Sequence, residues 1–70
     1  GSELEASIEK IGNLLKSRGM LLEGYGTRWI AMKLLEGDED IMEKVKNSFR
    51  GWFTTVTEEV QGERKRLEEL

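Results

Sequence analysis

Cysteine, histidine and proline are all missing from this 70-residue chain. Without cysteine there is no disulfide framework and no thiol nucleophile, and a reducing compartment is the default expectation. With histidine gone as well, zinc, haem and iron–sulfur ligation of the usual kinds is excluded. The lack of proline removes the commonest helix breaker. Long apolar runs are also missing. None approaches the ~18 residues that suggest a membrane span, and no signal-peptide pattern is visible. Nor is there an excess of positive charge. Eleven basic against fourteen acidic residues leave a net charge of -3, which gives no general attraction to nucleic acid or anionic lipid.

What remains is 37% hydrophobic and 36% charged, enough apolar content for a folded domain. Leu, Glu and Lys outnumber Val, Ile and Thr, so the composition favours helix over sheet. The length allows one domain, near the lower limit for a core that stands alone. Gly1 and Ser2 read as the scar left by a protease, which makes residues 3–70 the domain and lets the natural chain extend beyond either end.

Apolar spacing predicts an all-α fold, a three-helix module with a short central helix and a long C-terminal one. Leu4, Ile8, Ile11 and Leu15 form one narrow stripe on a first helix from about Glu3 to Arg18, with Leu14 on its flank. Gly19 is placed to stop it in a left-handed conformation. Three glycines between residues 19 and 26 mark a reversal. Met20, Leu21, Leu22 and Tyr25 argue that this connection packs down.

The central helix is Thr27 to Glu36, with Thr27 the expected N-cap and Gly37 the stop. Trp29, Ile30, Ala31, Met32, Leu34 and Leu35 point in nearly every direction, so it should be buried on most sides or feed a further contact. The third helix should start at Asp40, capped by Asp40 and Glu43, and run to the C-terminus. Its apolar residues from Ile41 to Leu70 share one ~120° arc over ~45 Å. A compact globule of this size has a radius of gyration of only ~11 Å, so such a rod would overhang its neighbours. Bends are expected at Thr54–Thr57 or at Gly62.

Chemistry-bearing clusters resolve into ordinary roles. Glu36, Asp38, Glu39, Asp40 and Glu43 lack the ligand order of a calcium loop, because Ile41 and Met42 fall where a turn and a ligand are needed. Helix capping accounts for them. Arg64, Lys65 and Arg66 precede Glu68 and Glu69 at i, i+4 spacing, which reads as a solvated face. No phosphate-binding loop occurs, and no nucleophile stands beside the carboxylates. The chain is therefore expected to be no enzyme, with no catalytic, metal-binding or cofactor-binding residue. Trp29, Trp52, Phe49, Phe53 and Tyr25 are core aromatics at helical spacing. Trp52, Phe53, Val56, Val60 and Leu67 are the candidates for an interface, because the stripe they share outruns its cover.

From Tyr25 to Glu43 the sequence reads YGTRWIAMKLLEGDEDIME. Arg28, Trp29, Ala31, Lys33, Leu34, Leu35, Glu36, Gly37 and Asp38 match an Arg-Trp-x-Ala-x-Lys-Leu-Leu-Glu-Gly-Asp stretch, and the chain thereby resembles the helical domain of the ferrous iron transport protein B family. Members of that family often carry a proline just before the Arg-Trp pair, where Gly26 and Thr27 stand here, and their helical domain usually continues further.

The resemblance implies a non-catalytic regulatory module that packs on a GTP-binding domain of the same polypeptide and slows GDP release. GTP or GDP with Mg²⁺ would belong to that domain. The parent would lie at the cytoplasmic face of the cell membrane, and the module would meet the membrane only through it. The rival expectation is a stand-alone helical module that self-associates through the apolar stripe of the third helix.

Overall fold

Among the residues that the computed structural model describes (2–20, 22 and 24–70), four α-helices form and no strand does. They are α1 (Ser2–Ser17), α2 (Thr27–Glu36), α3 (Glu39–Ser48) and α4 (Phe53–Glu68), with a 3₁₀ turn at Arg50–Trp52 between the last two. Gly1, in the expected scar, and Leu21, in the connection expected to pack down, lie outside the described residues.

Helix α1 buries Ile8, Ile11 and Leu15, while Leu4 at the near end of the same stripe stays 44% exposed. Gly19 stops the helix as expected, at φ 66°. The Gly19 N–H donates to the Lys16 carbonyl at 3.0 Å and the Met20 N–H to the Leu15 carbonyl at 2.9 Å. This paired closure satisfies two terminal carbonyls and drops Met20 into the core, where it is fully buried.

Helix α2 is the central element, touching the other three helices. It turns Ile30, Ala31, Leu34 and Leu35 inward. Its N-cap is Gly26 rather than Thr27, and no side chain caps it. Thr27 is already helical, so its hydroxyl is not in the cap position. Gly37, at φ 76°, ends α2 with the closure used by α1: its N–H reaches the Leu34 carbonyl and the Asp38 N–H reaches that of Lys33, both at 3.0 Å.

That closure leaves Asp38 extended, at φ -64° and ψ 113°, and its carboxylate accepts the Ile41 N–H at 3.0 Å. One residue thus closes α2 and caps α3. The expected cap, Asp40, instead sits with Glu39 in the first turn, where acids favour the positive helix end.

The single C-terminal helix expected from Asp40 to Leu70 is divided. Phe49, at φ -137° and ψ 53°, ends α3, and α4 starts four residues later. A continuous rod would carry either Ile41 and Val45 or Val56 and Val60 away from α1 and α2. The break lets all four enter one core, at 4%, 1%, 1% and 6% exposure. Gly51 inside the turn lowers the cost of leaving the helix, since glycine is ~1 kcal/mol less favourable there than alanine. The expected bend sites at Thr54–Thr57 and Gly62 lie inside unbroken α4. The folded chain measures 32 × 20 × 19 Å, with a radius of gyration of 11.2 Å.

Two glycines respond to this geometry in opposite ways. A Cβ at Gly62 meets open space inside α4, whereas one at Gly37 would lie 3.1 Å from the Arg64 guanidinium at positive φ. Gly62→Ala is expected to stabilise the chain by about 0.5–1 kcal/mol. Gly37→Ala should destabilise it by about 1–2 kcal/mol. Denaturant unfolding followed by circular dichroism measures both.

Candidate functional site

The nearest thing to reactive chemistry is a buried carboxylate on the seam between α1 and α4. Val56, Val60 and Leu67 set the apolar stripe of α4, and Glu63 falls in its middle at helical spacing, only 6% exposed. The Ser7 hydroxyl, fully buried on α1, donates to Glu63 Oε1 at 2.7 Å and accepts from Arg66 Nη2 at 2.6 Å. Arg66 Nη2 also donates to Glu63 Oε1 at 3.0 Å, and its Nη1 to Glu3 at 3.0 Å. Lys10 closes the other side, 3.3 Å from Glu63 and 3.0 Å from Glu59.

Among the described residues no buried side-chain polar atom lacks a partner. The Ser7 hydroxyl, the Arg66 guanidinium and then Lys10 hold the Glu63 carboxyl down at about 2 against the desolvation that opposes them. An acid so strongly held ionised has no proton to give near neutrality, so Glu63 is a structural clasp and not a general acid. The sequence carried one signal for it, a charged residue centred on an apolar stripe. The expected Arg64–Glu68 and Lys65–Glu69 pairs are not among the ion pairs formed, and of the three basic residues it is Arg66 that pairs, with Glu63 on its own helix and Glu3 on α1.

The motif residues divide between scaffold and surface. Ala31, Leu34 and Leu35 are core, Gly37 is the stop and Asp38 the cap. Arg28 bridges to Glu5 on α1 at 2.8 Å and holds that carboxyl below its ordinary range. Lys33 lies 3.8 Å from Glu36. Trp29 does not enter the core. It stays 39% exposed, its ring stacked on Tyr25 with centroids 4.9 Å apart and planes 13° from parallel. The Lys33 ammonium stands 5.6 Å from the same ring, within cation–π reach.

The five candidate interface residues do not share one surface. Val56 and Val60 are consumed by the core, and Phe53 is half-buried against it. Trp52 is 41% exposed, with the Arg18 guanidinium 4.0 Å above its ring. Leu67 lies near the far end of α4, ~22 Å further along the helix. There it lines a groove of about 310 Å³ with Leu4, Ile8, Met32, Leu35 and Glu36.

Two surfaces are therefore open to a partner. One is the Trp52–Arg18 corner, and the other is the outer side of α2 with the adjoining groove. Among the described residues no cluster of three or more acidic side chains is placed to hold a metal ion. No helix among them is long and apolar enough to cross a membrane.

A family model described as the FeoB cytosolic helical domain matches residues 1–70, and the chain belongs to that family. No curated protein and no solved structure matches it at significant similarity.

The clasp makes the fold sensitive to acid. Because the folded carboxyl ionises well below the ordinary value of 4.5, its contribution is fully present above about pH 4.5 and is lost as pH falls towards 2. Glu63→Gln should cost about 1–3 kcal/mol at pH 7 by leaving buried donors poorly paired. Its deficit against the wild type should shrink between pH 4.5 and 2. Urea unfolding at stepped pH checks this, and a constant gap across that window counts against the clasp.

Proposed function

We propose, from membership in the FeoB cytosolic helical domain family, that this chain is the regulatory helical domain of a GTPase-coupled ferrous iron transporter. It lies against the GTP-binding domain of the same polypeptide and slows the release of GDP. GTP or GDP and Mg²⁺ are held by that domain, and the module meets the cytoplasmic face of the membrane only through its parent. The observation that carries the reading is the family match over residues 1–70. The side-chain chemistry agrees with a role by contact. Glu63, the one buried acid on the described seam, is locked by Ser7, Arg66 and Lys10, and Tyr25, Trp29 and Trp52 face outward.

Regulation by contact requires only that the module bind one nucleotide state better than another. A tenfold slowing of GDP release needs ~1.4 kcal/mol of differential contact, which a single well-placed aromatic anchor can supply. Trp52 is the member of the expected interface set best placed for this. Its ring is 41% exposed and is held by Arg18 rather than by the core.

Adding the module to the isolated GTP-binding domain should slow release of a fluorescent GDP analogue in stopped flow. Trp52→Ala should weaken that effect about tenfold or less while leaving helicity unchanged. An unaltered release rate at saturating module would sink the proposal.

A further inference from the structure

Helix α2 carries large apolar side chains on both sides, and the module covers only one. Its inner side chains make the core, while Trp29 and Met32 on the outer side stay 39% and 38% exposed, and Tyr25, just before the helix and stacked on Trp29, stays 40% exposed. Across the groove beside Met32 stands Leu4, 44% exposed. A contiguous patch of large apolar side chains on a helix's solvent side marks an interaction surface.

The charges on this face say what fits it. Arg28, Met32 and Glu36 follow one another at i, i+4 and i+8, so the outer ridge of α2 runs positive, apolar, negative. We propose that two copies of this chain pair through this face about a two-fold axis passing between their Met32 side chains. Antiparallel α2 helices related by that axis bring Arg28 of each copy opposite Glu36 of the other.

Ridges of i±4 residues from two helices interdigitate at a crossing angle of about -50°, the commonest helix packing. The Tyr25–Trp29 stack forms the neighbouring ridge and supplies the aromatic anchor. Both charges are paired within the chain yet keep exposed atoms for a further contact. Arg28 uses a single nitrogen, Nη2, on Glu5, and its side chain remains 59% exposed. Glu36 is 58% exposed, with Lys33 at a long 3.8 Å. The surface is thus complementary to itself, as an isologous interface requires.

Sedimentation velocity on the intact chain from about 10 µM to about 1 mM spans the affinities of small interfaces. The wild type should show a reversible dimer. R28E and E36R, each of which sets like charges face to face, should raise the dissociation constant by about tenfold or more. Met32→Glu should do the same. Met32 makes no ion pair, so circular dichroism of Met32→Glu should be unchanged, whereas R28E also gives up the surface bridge to Glu5 and E36R the one to Lys33.

The deciding experiment mixes R28E with E36R in equal amounts. In the antiparallel arrangement both cross-pairs become attractive, so the mixture should recover a heterodimer from two weakened parents. A wild-type dimer excludes the parallel arrangement, which would set Arg28 on Arg28 and Glu36 on Glu36. A wild type that stays monomeric to about 1 mM overturns the proposal and leaves the face to a different protein. A dimer indifferent to all three substitutions, or a mixture that recovers nothing, overturns it equally.

Discussion

The inward face of α2 is the constraint on which the other helices depend. Ile30, Ala31, Leu34 and Leu35 give α1, α3 and α4 a common wall. A chain of 70 residues has little more apolar surface to bury than this one cluster provides, and small domains keep only a narrow margin between burial and chain entropy. Each helix must therefore spend its stripe on α2 or on a neighbour already packed there. The glycine stops at Gly19 and Gly37 follow from the same need. Both turn the chain within two residues, and both do so while satisfying carbonyls that would otherwise be left open.

The same constraint explains why the C-terminal segment breaks. Its apolar residues keep helical phase from Ile41 to Leu67, which favours one long rod, but one core cannot cover such a rod. The turn at Arg50–Trp52 gives up some regular helical hydrogen bonds and brings Val45 and Val56 into the same cluster. Beyond Val60 the packing changes character. Glu63 takes the next inward place, and the seam with α1 is held by ionic hydrogen bonds to Ser7, Arg66 and Lys10. Such a seam specifies register sharply, because a displaced Glu63 would be left buried without partners.

A module built this way has contact to offer and little chemistry. Its buried acid, Glu63, is locked, and the Arg28–Glu5 pair ties α1 to α2 at the surface. Its exposed aromatic rings lie at a corner at Trp52 and on the outer side of α2. Within the family motif, Ala31, Leu34, Leu35, Gly37 and Asp38 build the scaffold, whereas Trp29 faces outward on it. One contiguous stretch of sequence thus carries both the centre of the fold and part of its exposed surface.

Local physics made the all-helical class, the inward stripes of α1 and α4 and both glycine stops legible in the sequence. Each depends on residues within a turn or two of one another, and helical phase is a local property. Tertiary packing decided the rest. It chose Asp38 over Asp40 as the cap, because the closure of α2 leaves Asp38 extended. It divided the last helix at Phe49, because one core had to accept both halves. It carried Arg66 across to Ser7 and Glu3 on α1 while keeping its bond to Glu63, and it left Trp29 and Met32 in solvent while burying Val56 and Val60. Periodicity records where a side chain points around its own helix. What that side chain meets depends on which elements win the limited space against α2, and that competition is settled only when all four are in place.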